Sequence, residues 1–229
     1  MTAVYSPADG LLLLDRDRLA GLIGQAQGQG LDQVTATDLV RSGVLQPDER
    51  VDERLVSLVD VLGGGGARGR LITRERGLVT VADVVLGADG GAVVLLWAAG
   101  ADLAHVRWLS AGGVARYLGR RIGIGSHLGA EPRFVDGGEL RDWRVTVDGF
   151  LTASPSGWVG RHRTAVLHEL RWAFPAGAAA GTALVVAVLD RALVEVRPSD
   201  GDPGGYRVAA ADPVAVWMWL CALTAVGDR

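Results

Sequence analysis

In the first 66 residues, one short apolar run is followed by hydrophobic positions at helical spacing. Leu11–Leu14 predicts a short strand, and Asp15 predicts the N-cap of a helix that carries Leu19, Leu22, Ile23 and Ala26. Thr35 or Thr37 predicts the cap of a second helix, which ends near Ser42. The clearest amphipathic helix is predicted by Val51, Leu55, Leu58, Val59 and Leu62. This segment is therefore predicted to be mainly helical.

Beyond Gly66 the pattern changes to short apolar runs separated by turn residues, which is typical of strands. Four strands are predicted, at Arg68–Arg74, Leu78–Leu86, Ala92–Trp97 and Leu103–Leu109. The dipeptide Asp89-Gly90 within the turn Gly87–Gly91 is a hairpin signal. Ser110 then predicts the cap of a helix whose apolar positions are Val114, Tyr117, Leu118 and Ile122.

The same order of elements returns towards the C-terminus. Four more strands are predicted, at Arg163–Trp172, Ala183–Leu189, Ala192–Arg197 and Tyr206–Ala210. Asp212 predicts the cap of a final helix with Pro213 at its first position, which is the favoured place for proline. Residues 123–160 between the two halves are rich in glycine and aspartate, so we expect irregular structure there, with one short helix considered at Glu139–Val145.

Four strands followed by one helix thus occur twice, and Val114-Ala115 matches Val214-Ala215 at a spacing of 100 residues. Consecutive strands joined by short turns pair antiparallel. We therefore expect an α+β fold with an extended, mostly antiparallel sheet. It is predicted to be a duplicated ββββα unit with a pseudo-twofold axis, flanked by helices. We expect a single domain with a helical segment (1–66), a first repeat (67–122), an irregular middle (123–160) and a second repeat (161–229).

Composition narrows the class of protein. Of the 229 residues, 49% are hydrophobic and 21% charged, which allows a large core and argues against disorder. All 23 basic residues are arginine, which indicates a GC-rich genome, and the net charge of −3 disfavours nucleic-acid binding. Cys221 is the only cysteine, which excludes a disulfide scaffold. We expect a cytoplasmic protein without membrane insertion, because no signal peptide opens the chain and proline and glycine interrupt the uncharged run Trp172–Leu189.

No set of residues predicts catalysis, a cofactor or a metal centre. No Cys/His set has zinc spacing, and no serine lies in a Gly-x-Ser-x-Gly motif. His168 shares one strand face with Val166, Leu170 and Trp172, which favours a hydrogen-bonded core histidine. One alternative remains open: an enzyme or small-molecule binder that uses the irregular middle would line its pocket with Glu139, Asp142 or His127.

The final helix is the most informative element, because Pro213–Gly227 contains no charged residue. A helix that is apolar on all sides is predicted to be buried on more than one side. Trp217 and Trp219 point to different sides at about 100° per residue, so both sides need cover. This pattern favours a protein that holds another chain over a catalyst.

At three stretches the chain resembles the EspG family, the cytosolic chaperones of actinobacterial type VII (ESX) secretion. Leu11–Leu19 is similar to the family's opening apolar strand and capped helix. Asp38–Leu62 is similar to its helical pair before the first strand. The strand-rich halves that end in Asp212–Val226 are similar to its duplicated fold, a central antiparallel sheet flanked by two helical bundles.

The resemblance implies a non-enzymatic cytosolic chaperone or adaptor whose partner is a helical secretion substrate, PE–PPE-like or WXG-like. In mycobacterial members the loop between the second and third strands helps to grip the PPE protein, and the matching turn here, Gly87–Gly91, is very short. We expect partner-binding residues at Ala88, Asp89, Gly90, Trp217 and Trp219. The alternative is an obligate homodimer or scaffold whose interface is the final helix.

Overall fold

The computed structural model describes residues 3–8, 11–64, 66–75, 78–98, 101–125, 133–135, 165–173, 182–190, 192–198 and 206–225. These residues form a mixed fold in which helices pack on a large antiparallel sheet. The helices within the described ranges are α1 (Arg16–Ala26), α2 (Gln33–Arg41), α3 (Val56–Gly63), α4 (Ala111–Ile122) and α5 (Pro213–Ala225).

Eleven strands within the described ranges form the sheet. The first six are β1 (Ala3–Ser6), β2 (Leu11–Asp15), β3 (Arg68–Glu75), β4 (Leu78–Leu86), β5 (Gly91–Ala98) and β6 (Leu103–Ser110). The others are β7 (Arg133–Val135), β8 (Ala165–Ala173), β9 (Thr182–Leu189), β10 (Ala192–Pro198) and β11 (Tyr206–Ala210). Their order across the sheet is β1-β2-β6-β5-β4-β3-β8-β9-β10-β11-β7, and every neighbouring pair is antiparallel.

The middle of the sheet is the pair β3–β8, in which Leu71 lies opposite Leu170 and Gly69 opposite Trp172. On either side of this pair, the strands follow in chain order, β4-β5-β6 on one side and β9-β10-β11 on the other. A short strand adjoins the end of each series, since β2 pairs with β6 and β7 with β11, and β1 lies at the edge beyond β2. The α+β class and the antiparallel sheet are therefore confirmed.

Two apolar clusters cover opposite faces of the sheet. On one face, α4 and α5 pack over β3, β4, β5, β8 and β9, and Leu71, Val94 and Leu170 are buried there. On the other face, the first three helices pack over β2, β5 and β6, and Val93 and Val106 are buried there. Successive residues of one strand point to opposite faces, so Val93 and Val94 of β5 join different clusters. The first half of the sheet is thus covered on both sides.

Most helix boundaries follow the predicted caps. The side chain of Asp15 accepts a hydrogen bond from the Arg18 amide at 2.9 Å, and Ser110 accepts one from the Gly113 amide at 3.2 Å. Asp212 accepts one from the Val214 amide at 2.9 Å, and Pro213 opens α5 as predicted. The predicted cap of α2 is wrong. Neither Thr35 nor Thr37 begins this helix, because Asp32 accepts from the amides of Val34 and Thr35.

The third helix is shorter than its apolar spacing predicted. It begins at Val56, whereas the predicted pattern started at Val51. Val51 instead forms an isolated bridge with Leu45, and the Asp52 side chain accepts a hydrogen bond from the Arg54 amide at 3.0 Å. This aspartate turn holds the chain out of helical geometry. The apolar side chain of Leu55 is nevertheless buried in the core. The apolar spacing therefore predicted the burial of Leu55 correctly, but not its secondary structure.

Two strands, β1 and β7, were not predicted, whereas β2 is the short strand predicted at Leu11–Leu14. β1 and β2 belong to residues 1–66, so the predicted helical segment also contributes two strands to one end of the sheet. β7 belongs to the predicted irregular middle and pairs with β11 through Phe134 and Arg207. The helix considered at Glu139–Val145 lies outside the described residues.

Candidate partner-binding surface

Helix α5 has one buried and one exposed side, although both are apolar. Val216, Leu220, Leu223 and Thr224 are buried. Val214 and Met218, one helical turn apart, are 66% and 62% exposed, and Ala215 and Ala222 are exposed beside them. We call Val214, Ala215, Met218 and Ala222 the outer stripe of α5. The prediction that this helix is buried on more than one side is wrong for the single chain.

Helix α5 packs against α4 through a glycine. A side chain at Gly119 would place its Cβ 3.0 Å from the Trp217 ring, so the indole lies directly on the α4 backbone. Trp217 and Trp219 are both partly buried and pack against the same apolar cluster. The exposed side of α4 carries Arg116 and Arg120, and this helix contains no acidic residue. The surface of the pair is therefore apolar on α5 and positively charged on α4.

Three hydrogen bonds hold the turn between β4 and β5 in place. The Gly87 amide donates to the Gly91 carbonyl at 2.8 Å, and the Gly91 amide donates to the Asp89 carboxylate at 3.1 Å. Gly90 has a φ of +77°, which favours glycine, and its carbonyl accepts from the Ala111 amide at 2.8 Å. Ala88 and Asp89 remain exposed at the tip. The turn is thus a fixed, short projection at the N-terminus of α4.

Two of the predicted partner-binding elements, the turn and Trp217, contact the same helix, α4. The turn contacts α4 at Ala111, and Trp217 contacts it at Gly119, eight residues further on. At a rise of about 1.5 Å per residue, these two contacts are about 12 Å apart. Of the five residues predicted, Ala88 and Asp89 are exposed, whereas Gly90, Trp217 and Trp219 are partly buried.

Sequence reasoning missed the outer stripe of α5. Usually the charged residues of a helix mark its solvent side. Pro213–Ala225 has none, so no charged position distinguishes Met218 from Trp217. One weak signal was present: alanines and the flexible Met218 recur every three or four residues on the side that proves exposed.

The core histidine was predicted correctly. His168 is 2% exposed, and its Nδ1 lies 3.1 Å from the Thr73 hydroxyl on the neighbouring strand. Burial, together with the nearby Arg121 guanidinium, lowers the pKa of His168 to about 4. A cavity of about 330 Å³ adjoins this pair and is also lined by Thr80, whose hydroxyl accepts from Arg121 at 3.3 Å. The imidazole is therefore a neutral hydrogen-bonding group at physiological pH.

The described part of the chain contains no cluster of three or more His, Cys, Asp or Glu side chains that could hold a metal ion. Glu139, Asp142 and His127, the residues of the alternative enzyme hypothesis, lie outside the described ranges. No helix among the described residues is long and apolar enough to cross a membrane. No protein-family model matches this chain, and no curated protein sequence matches it either.

Proposed function

We propose that this protein is a non-enzymatic cytosolic chaperone of the EspG type, which binds a helical substrate of a type VII (ESX-like) secretion system. The observation that carries the proposal is the outer stripe of α5, where Val214 and Met218 are mostly exposed on a helix without charge. Contiguous exposed apolar side chains mark protein interaction sites more often than isolated ones do.

The order of elements supports the relation to the EspG family. Four strands and a helix, β3-β4-β5-β6-α4, are followed later by β8-β9-β10-β11-α5. Both series start from the central pair β3–β8, and both end in a helix on the same face of the sheet. We interpret this arrangement as a duplicated ββββα unit with a pseudo-twofold axis between β3 and β8. The two short strands β2 and β7 would occupy equivalent places.

Charge indicates what kind of helix would bind. The α4–α5 surface offers Val214 and Met218 as apolar anchors, with Arg116 and Arg120 on the exposed side of α4. An amphipathic helix can place apolar residues at positions i and i+4 against such a pair. We infer that the substrate helix carries acidic residues beside its apolar stripe, because these would complement the arginines. The fixed turn with Ala88 and Asp89 would contact the end of that helix.

Co-expression with the small helical proteins encoded beside this gene, followed by gel filtration, tests the proposal. We expect a stable complex with one of them. Met218→Asp and Val214→Asp should each weaken it by at least about tenfold, because burying such a side chain contributes about 1.5–3 kcal/mol. Dissociation constants measured by calorimetry would give the ratio of the variant's affinity to that of the wild type.

Val34→Asp is the matched control for Val214→Asp. Both valines are the second residue of their helix, and their exposed fractions are 68% and 66%. An aspartate in a first helical turn is well tolerated, so both variants should fold. Val34 lies on α2, which packs on the opposite face of the sheet, so this variant should bind normally. Equal affinities for the two variants, or no complex with any neighbouring protein, would refute the proposal.

The same stripe supports a second candidate, a homodimer formed through α5. A charge-free face at Val214 and Met218 could pair with its copy across a twofold axis. Light scattering at micromolar concentration separates the two candidates. A dimer that Met218→Asp converts to monomer supports this alternative, whereas a monomeric wild-type protein rules it out.

A further inference from the structure

A cleft of about 550 Å³ lies on the face of the sheet opposite α4 and α5. Its apolar side is formed by Ile23 of α1 and Leu62 of α3, and its polar side by Arg68, Arg70, Asp83 and Arg171 of the central strands. We call these six residues the arginine cleft. Its volume falls within the range of about 300–1,000 Å³ that is typical of small-molecule sites.

The arginines occupy an unusual place in the sheet. Arg70 and Arg171 are directly opposite each other in the β3–β8 pair, and Arg68 is two residues from Arg70 on the same strand face. Like charges at directly opposed positions destabilise a sheet. Three arginines and one aspartate leave two positive charges in excess within this cleft. The protein as a whole is acidic, with a net charge of −3, so this excess is local.

The single aspartate shows how an anion fits here. Asp83 lies opposite Arg70 on β4, and its carboxylate accepts from the guanidinium through two bonds, at 2.6 and 3.2 Å. Within the described residues, neither Arg68 nor Arg171 forms an ion pair, and both side chains are exposed. A second carboxylate could pair with these two guanidiniums as Asp83 pairs with Arg70.

We propose that the arginine cleft binds an amphiphilic carboxylate, an organic acid with an aliphatic chain. Its carboxylate pairs with Arg171 and Arg68, and its chain lies against Ile23 and Leu62. Each methylene that leaves water adds about 0.8 kcal/mol, so the apolar side contributes affinity and the arginines contribute selectivity for an anion. This site is independent of the proposed substrate surface, which lies on the other face of the sheet.

Calorimetry with octanoate tests the proposal, with acetate, octan-1-ol and octyl phosphate as comparison ligands. We expect octanoate to bind, and acetate and octan-1-ol each to bind at least about tenfold more weakly. Acetate lacks the aliphatic chain, and octan-1-ol lacks the carboxylate. Arg171→Gln should lower the affinity for octanoate about tenfold. No heat with octanoate at millimolar concentration, or equal binding of octan-1-ol, would overturn the proposal. Tighter binding of octyl phosphate would overturn the choice of a carboxylate.

Arg116→Gln is the matched control, since it removes another exposed arginine, from α4 on the opposite face. We expect it to bind octanoate as the wild type does, and an equal loss in both arginine variants would refute a specific site. Val214→Asp should also bind octanoate normally. This variant therefore separates a failure of the arginine cleft from a failure of the proposed chaperone surface.

Discussion

Replacing Trp172 with alanine is expected to lower the free energy of unfolding by about 3–5 kcal/mol, the range for truncating a large buried aromatic side chain. Trp172 is 1% exposed and is the largest fully buried side chain among the described residues. It belongs to β8, at the middle of the sheet, and joins the cluster beneath α4 and α5. Urea denaturation followed by circular dichroism would measure the loss.

Trp108→Ala is the control for this prediction. The Trp108 side chain is 42% exposed, so less of its surface leaves water on folding, and its truncation should cost clearly less. An equal loss in the two variants would contradict the assignment of Trp172 to the centre of the core.

Gly69 explains how so large a ring fits between strands, and it sharpens the same test. Gly69 lies opposite Trp172, and a Cβ there would overlap the six-membered ring of the indole. Gly69→Ala is therefore expected to cost about 1–3 kcal/mol through overpacking. In the Trp172→Ala background the clash disappears, so the cost should largely vanish. A double-mutant cycle would show this coupling, whereas additive losses would contradict it.

Local signals explain which parts of this fold could be predicted. The strands Leu78–Leu86 and Tyr206–Ala210 match their predicted bounds, because apolar runs there end at clear turn residues. The caps Asp15, Ser110 and Asp212 were also predicted, since each precedes a helical pattern. These features depend on neighbours within four residues, and a sequence records such neighbours directly.

Long-range features could not be predicted in the same way. The pairing of β3 with β8 joins residues almost 100 positions apart, and β1 and β7 are strands of four and three residues that exist through their partners. The arginine cleft depends on the β3–β8 register, which places Arg70 opposite Arg171. The outer stripe of α5 depends on which side of an entirely apolar helix meets α4. No local pattern contains that information.

Lowering the pH from 7 to 5 is expected to destabilise the protein by about 2 kcal/mol through His168 alone. Burial beside Arg121 lowers the folded-state pKa of this histidine to about 4, below the unfolded value of 6.5. Protonation therefore favours the unfolded chain. The stability from the neutral imidazole is complete above pH 6.5 and is lost as the pH falls from 6.5 towards 4. Each pKa unit corresponds to about 1.36 kcal/mol of stability, and more than half of the total stability contribution of His168 is lost by pH 5.

His168→Gln tests this directly, because glutamine keeps a hydrogen-bonding group beside Thr73 and cannot be protonated in this range. In urea unfolding at pH 5, 6 and 7, the loss of unfolding free energy between pH 7 and pH 5 should be about 2 kcal/mol larger for the wild type than for this variant. His105→Gln is the control. His105 is only partly buried, and burial with Arg107 nearby lowers its pKa, so this variant should keep most of the pH dependence. The exposed Glu75 also lines the cavity beside His168. Because this carboxyl is present in every variant, the difference between wild type and His168→Gln reports the imidazole. Parallel curves for wild type and His168→Gln would mean that the buried imidazole does not resist protonation.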